Sequence, residues 1–304
     1  MSMPRSHDYS CYDLAIRSTI EIPEMLPLAG APKAPDVTIV QDAVDPEGLE
    51  GGVQIGPFLW ASPDTVQLHV PDVARFRISG GETIVFDPAT RADADSIRVF
   101  MLGSALGALL FQRGHLVLHG NAIEIGDACM VCVGASGAGK STLAAAFMQR
   151  GYRLIADDVV PLDGECRAIS GFPRVKLWQD AADEMGIDTS GLRRVRPQML
   201  KYNLPVCDRF VREPRPIRWV YLLNTYNVSR ITFDAVRGMD RFEPLYRNTY
   251  RVRFLENMAL TPHHLRLCGK LAGCIRMKRI VRPDQGFHVD ALVDRILADV
   301  MEPG

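Results

Sequence analysis

The sequence predicts an α/β protein in which a strand, a glycine loop and a helix follow a smaller β-rich region. Three observations carry that reading. Residues 134–141 read GASGAGKS, preceded by an apolar strand and followed by a helical pattern. Short runs of Val, Ile and aromatic residues separated by turn pairs fill the chain before residue 112. The charge also shifts there: residues 1–112 hold 7 basic and 15 acidic side chains, residues 113–304 hold 28 and 21. The expected division is therefore 1–112, a β-rich N-terminal domain ending in a helix, and 113–304, an α/β domain more suited to anions.

Composition narrows the class. The 304 residues are 47% apolar and 23% charged, which excludes a disordered chain. A net charge of −1 argues against a protein that coats nucleic acid or anionic membrane. The apolar run Val99 to Phe111 is too short to span a bilayer and predicts a buried helix. The opening MSMPRSHDYS has no apolar segment of the kind a secretory signal carries. Seven cysteines, an odd number, read as small hydrophobes in a reducing compartment, so the expected location is cytoplasmic.

In chain order, strands are predicted at 37–40, 53–55, 58–60, 66–70, 73–78 and 83–86, with Gly51-Gly52, Gly56-Pro57, Ser62-Pro63 and Gly80-Gly81 as turns. A helix should run from about Asp93 to Gln112, its acids at the positive N-terminal end. Strands follow at 115–118, 122–125 and 128–133, then a helix from Lys140 to Arg150, stopped by Gly151. Further strands are expected at 153–156, 159–162, 166–169, 206–211 and 218–223, with helices near 262–270 and 288–300.

The loop Gly134-Ala135-Ser136-Gly137-Ala138-Gly139-Lys140-Ser141 matches G-x-x-x-x-G-K-[ST], and Thr142 follows it. Its glycines let the backbone turn tightly and aim N–H groups at phosphate oxygens, and the helix adds its positive dipole end. Lys140 suits β- and γ-phosphates, and the Ser141 hydroxyl suits Mg²⁺. A nucleotide or pyrophosphate is the expected ligand. Such a loop serves ATPases, GTPases, kinases and motors alike. The discriminating feature is Asp157-Asp158, 18 residues after Lys140 at the end of the next predicted strand. Two carboxylates there could hold a metal and accept a proton from an attacking hydroxyl.

These spacings resemble the catalytic domain of the bacterial HPr kinase/phosphorylase family. The resemblance rests on Leu118-His119-Gly120, on the loop 134–142, and on Arg150-Gly-Tyr-Arg-Leu-Ile-Ala-Asp157-Asp158. It implies a P-loop kinase core like that shared in outline with phosphoenolpyruvate carboxykinases. It also implies ATP and Mg²⁺ as cofactors, Asp158 as proton acceptor, Asp157 as supporting acid and metal ligand with Ser141, and His119 lining the transfer site. The segment Gly171–Trp178 falls where the family keeps a metal-binding glutamate, with Asp180 and Asp183 as poor substitutes. Arg174 and Lys176 lie in that segment and are expected to meet the acceptor. The family's C-terminal glycine–arginine motif is echoed only by Arg279–Pro283. The layout around Tyr12–Pro23, Arg113-Gly114 and Leu118-His119 is similar to HPr-kinase-related proteins encoded with lasso and other ribosomal peptides.

The resemblance implies a serine kinase whose partner is a peptide or small protein and allows a homo-oligomer, while the charge balance leaves neither nucleic acid nor membrane as an expected partner. Two alternatives stay open: a kinase of a small hydroxyl compound, and a nucleotide-dependent sensor that transfers nothing. Arg193–Arg196 and Arg276–Arg282, the densest basic clusters, read as solvated faces or as anion sites. His263-His264 lack companions at metal-ligand spacing, so no zinc site is expected.

Overall fold

A computed structural model describes residues 6–30, 34–255 and 257–302. The first five residues, part of the leader reading above, lie outside the described residues. The architecture is mixed α/β with large sheets. The chain divides into two compact units: Met1–Val117 with Val195–Gln198 and Tyr250–Arg266, and Leu118–Arg194 with Met199–Thr249 and Leu267–Gly304.

The first unit is built on β1 (His7–Cys11), β2 (Leu14–Ser18), β3 (Leu26–Pro27), β4 (Val37–Gln41), β5 (Val53–Gly56), β6 (Leu59–Ala61), β7 (Thr65–Val70), β8 (Ala74–Ser79) and β9 (Thr83–Pro88). Their order in the sheet is β3-β1-β2-β4-β9-β8-β7-β6-β5. β4 is parallel to β2 and to β9, and the other neighbouring pairs are antiparallel. In β8, Ala74, Phe76 and Ile78 are buried while the intervening residues are not, the period-2 signature of a half-buried strand. The pair β1–β2 escapes the sequence reading because Asp8, Ser10 and Arg17 dilute its apolar pattern. Asp8 and Arg17 face each other across that pair and close an ion pair at 2.7 Å.

Helix α1 (Ala94–Gln112) opens as predicted, with the Asp93 carboxylate accepting from Ser96 N at 2.7 Å. By length and composition it could cross a membrane, yet all of 101–111 is buried. It is the core helix of this unit, as the apolar run predicts. A π-helical turn at Met101–Ala105 interrupts it. Gly103 and Gly107 are required there, because a Cβ at either would lie 2.8 Å from the Tyr250 ring or its hydroxyl. At the C-terminal end the Gln112 amide donates to the Asp64 and Ile78 carbonyls and accepts from Gly81 N.

The second unit starts after β10 (Leu116–Leu118) with β11 (Gly120–Ile125), β12 (Ala128–Gly134) and α2 (Lys140–Gln149). There follow β13 (Leu154–Asp157), β14 (Val160–Leu162), β15 (Arg167–Ala168), β16 (Arg174–Trp178), α3 (Gln179–Glu184), β17 (Lys201–Pro205), β18 (Arg215–Tyr226) and β19 (Thr232–Val236). Helix α4 (Phe242–Arg247), α5 (Thr261–Cys274), β20 (Arg276–Pro283) and α6 (Val289–Met301) complete the chain. β12 is parallel to β18 and β18 to β20, whereas β11 is antiparallel to both β12 and β13. Every residue of β12 is buried, as a central strand requires. Leu143 and Phe147 of α2 share a core with Leu292, Val293 and Ile296 of α6. Tyr221 on β18 donates to Asp299 on α6 at 2.7 Å.

Cys129 and Cys132 stand at C-x-x-C spacing, but on a strand an i, i+3 pair points to opposite faces of the sheet. Burial pushes the Cys132 thiol up to about 12. These are packing residues, as the compositional reading holds.

Two sequence expectations need correction. No strand covers 206–211: the strand lies earlier, at Lys201–Pro205, where it pairs with β16, and Cys207–Arg209 form a 3₁₀ turn. Proline at 205 has no N–H to continue a ladder. The 276–282 basic cluster is not a solvated face as a whole, since it forms β20 with Met277 and Ile280 buried.

Candidate functional site

All the groups described below belong to the second unit. β12 delivers its last residue, Gly134, against β18, where a Cβ would lie 2.4 Å from the Leu223 carbonyl oxygen. Only glycine fits that crossing. The chain then loops to Gly139, whose φ of +94° caps α2, and Leu143 N donates to its carbonyl at 2.9 Å. The Asn121 amide on β11 holds the Lys140 carbonyl, fixing the first turn of the helix. Lys140 is buried and folds back over the loop, its Nζ donating to the Gly134 and Ala135 carbonyls at 2.8 and 2.9 Å. Burial holds its pKa below the ordinary lysine value.

The acid pair ends β13. Asp157 lies opposite Asn121 in the ladder, and its carboxylate accepts from Ser141 Oγ at 3.0 Å and from Lys176 N at 3.0 Å. Asp158 comes one residue later with φ +74°, a left-handed conformation that aspartate tolerates better than most residues. Its Oδ2 pairs with Lys176 Nζ at 2.7 Å. His119 Nδ1 lies 3.0 Å from the Asp158 carbonyl and 3.4 Å from Oδ1.

Electrostatics separate the two acids. Burial, then the neighbouring Asp158 charge, pushes the Asp157 carboxyl upward. Burial alone would raise Asp158 too. The Lys176 ammonium outweighs it, with help from the Lys201 charge, and holds Asp158 well below the usual carboxylate range. His119 is lowered by burial and then by Lys140, which favours a neutral imidazole.

A cleft of about 630 Å³ connects these groups. Of the sequence-predicted residues, His119, Ser136, Gly137, Gly139, Lys140, Ser141, Thr142, Asp157, Asp158 and Lys176 line it. Gly134, Ala135 and Ala138 form the loop beneath through their backbone carbonyls. Arg174 stands apart from this wall: it is buried, lies over the Phe172 ring and donates to Asn203 at 2.6 Å. Asp180 lines the cleft, whereas Asp183 accepts from Gln179 at the surface.

Two further cations line the cleft: Arg282, offered by the sequence only within a cluster read as a solvated face or an anion site, and Lys201, which the sequence reading missed. Arg282 donates from Nη2 to the Ala138 carbonyl at 3.1 Å, so the Arg279–Pro283 run does reach the glycine loop. Lys201 enters from β17, 5.2 Å from the Trp178 ring. Its only sequence signal would have been a partner strand for Arg174–Trp178, and 22 residues of chain separate the two.

The donor set suits a magnesium-bound nucleotide. Among the described residues no three His, Cys, Asp or Glu side chains converge into a metal cluster. Mg²⁺ at phosphate sites commonly takes one or two protein oxygens and completes its shell with phosphate and water. Ser141 Oγ and the Asp157 carboxylate, 3.0 Å apart at the helix N-terminus, are such a pair.

Residues 113–175 match the family described as HPr Serine kinase C-terminal domain, and that segment is HPr-kinase-like. The match spans the His119 strand, the loop, the acid pair and Arg174. A search of curated proteins finds no match. Among solved structures, the chain is similar to the Hpr(Ser) kinase/phosphatase from Coxiella burnetii. That alignment has 13% identity and a TM-score of 0.32, covering 60% of this chain and 89% of the other.

Proposed function

We propose that this protein is an ATP-dependent kinase of the HPr-kinase type that phosphorylates a serine hydroxyl on a peptide or small protein. In this reading residues 113–304 form the P-loop catalytic core and 1–112 precede it as a separate domain. A ribosomal precursor peptide of the lasso type is the narrower expectation for the acceptor. The observation that carries the reading is the contact of Ser141 with Asp157 beside the ionised Asp158, at the head of a glycine-loop helix.

Each residue has a role. Backbone N–H groups of the loop and the Lys140 ammonium hold the β- and γ-phosphates of the nucleotide. Ser141 and Asp157 hold Mg²⁺, which when bound neutralises phosphate charge and helps orient the nucleotide. Asp158 takes the proton of the acceptor hydroxyl while the hydroxyl oxygen bonds to the γ-phosphorus. The bond from that phosphorus to the β–γ bridging oxygen breaks, and ADP leaves with the bonding pair. Neutral His119 orients Asp158 through its carbonyl and carboxylate. Phosphoryl transfer asks mainly for positioning and charge stabilisation, so this small set is sufficient.

The test is phosphotransfer from γ-labelled ATP to HPr, to serine-containing peptides and to free serine, with Asp158→Asn as control. Label on a peptide or protein serine, lost in the variant, supports the reading. Label on free serine alone would favour a small-molecule kinase, and tight MgATP binding with no transfer a nucleotide sensor.

A further inference from the structure

The cleft contains four cationic side chains, and three of them are already engaged. Lys140 donates to two loop carbonyls, Lys176 is paired with Asp158, and Arg282 donates to the Ala138 and Pro283 carbonyls. Lys201 differs. Among the described residues no carboxylate lies at ion-pair distance from it, although the Asp158 and Asp157 charges act on it from further away, and its ammonium lies 5.2 Å from the Trp178 ring centre.

Its placement follows from strand register. β16 and β17 are antiparallel, with Trp178 opposite Lys201 and Lys176 opposite Asn203. Directly opposed residues, and residues two apart, share a face of a sheet. Lys176, Trp178 and Lys201 therefore stand on one face of the hairpin, and all three line the cleft with Lys140, Asp157 and Asp158. The cation–π contact holds the ammonium in place without neutralising it. Among the described residues, Asp180 and Glu184 of α3, on the same wall, form no ion pair with it.

We infer that Lys201 is a catalytic residue that binds the transferring phosphoryl group from the acceptor side, opposite Lys140. This inference rests on the nucleotide reading above and names a residue that reading does not use. A cation that must surrender no direct ion pair is more effective toward an incoming anion than Lys176 at the same distance. Burial and then Lys176 lower the Lys201 pKa, so an arriving phosphoryl dianion also restores its preference for the charged form. Lys201 moves no proton in the reaction. It offsets charge on the phosphoryl oxygens while the bond to the leaving oxygen breaks.

The experiment needs no known acceptor. Calorimetry compares MgADP alone with MgADP plus aluminium fluoride, a planar mimic of the transferring group, for wild type, Lys201→Met and Lys201→Arg. Methionine keeps the apolar stem against Trp178, and unchanged thermal unfolding would show that the fold survives. Lys201→Met should bind MgADP as wild type does and lose about 10- to 100-fold in affinity for the fluoride complex, with arginine restoring part. Slow ATP hydrolysis should fall in parallel with unchanged KM. Equal loss for both ligands, or no loss for either, overturns the assignment. A wild-type protein that binds no MgADP overturns the nucleotide reading itself, and this inference with it.

Discussion

Lys176 Nζ stands 2.7 Å from Asp158 Oδ2, while the backbone N–H of the same lysine donates to Asp157 at 3.0 Å. One residue of β16 thus serves both acids, and differently: its ammonium pairs directly with the second, while its backbone N–H holds the first and its charge reaches it more weakly. The result is an ionised Asp158 next to an Asp157 that burial pushes toward protonation.

That relationship predicts a pH effect. With Asp158 accepting a proton, activity requires its ionised form and is lost as pH falls through its pKa. In wild type this acid limb lies below the usual carboxylate range. Lys176→Met removes the main stabilising charge and leaves burial in control, so the limb should move up by more than one pH unit, roughly, for a partly buried pair. A pH–rate profile of labelled transfer reads the shift directly, and an unmoved limb would count against Asp158 as acceptor. The same sign applies to stability. Asp158 stabilises the fold above the ordinary aspartate pKa, and that contribution disappears as pH falls through its lowered folded value.

Asp158→Asn keeps size and polarity but cannot take a proton. Transfer should slow by about 10²- to 10⁴-fold, with MgADP affinity near wild type. Rapid-quench measurement of a single turnover separates the two quantities.

Lys140→Met removes the ammonium over the loop. Nucleotide affinity and turnover should fall together, each by about 100-fold, because this charge holds the bound phosphates and stabilises the charge of the transition state more strongly still. Calorimetric titration with MgATP, run beside the rate assay, checks the pairing of the two losses.

Gly134→Ala would put a methyl group 2.4 Å from the Leu223 carbonyl, on rigid backbone of the neighbouring strand. The cost should be about 1–3 kcal/mol, since β12 and β18 must separate to admit it. Thermal unfolding reports the loss, and the nucleotide site should weaken with it because the loop begins at this residue.

The loop, helix α2 and the acid pair were legible in the sequence because each is local: a fixed spacing, an apolar strand, a helix stop at Gly151. Most strands of the first unit were legible for the same reason, being short Val/Ile runs between turns. His119, a lone histidine after a strand, was reached only through the family resemblance. What the sequence hides is what pairing over distance creates. β17 carries no strong strand pattern and exists as partner to β16, so Lys201 reads as an isolated lysine. β20 alternates basic with apolar residues, and its arginines mask the buried Met277 and Ile280. Arg174 and Lys176 look alike in sequence, yet Asn203 takes the first and Asp158 the second. The left-handed turn at Asp158, which aims its side chain, has no signature beyond the aspartate itself.

The helix Ala94–Gln112 bears on biosynthesis. Its glycines at 103 and 107 receive the Tyr250 ring, and segment 250–266 belongs to the same compact unit as the N-terminal sheet. A ribosome releases α1 long before it makes those residues. Until then the nascent chain carries an apolar helix without its cover, a surface that chaperones bind and that self-association favours. A fragment ending before Tyr250 should therefore be recovered in aggregates, however complete its sheet, and adding back residues through 266 should restore it to solution.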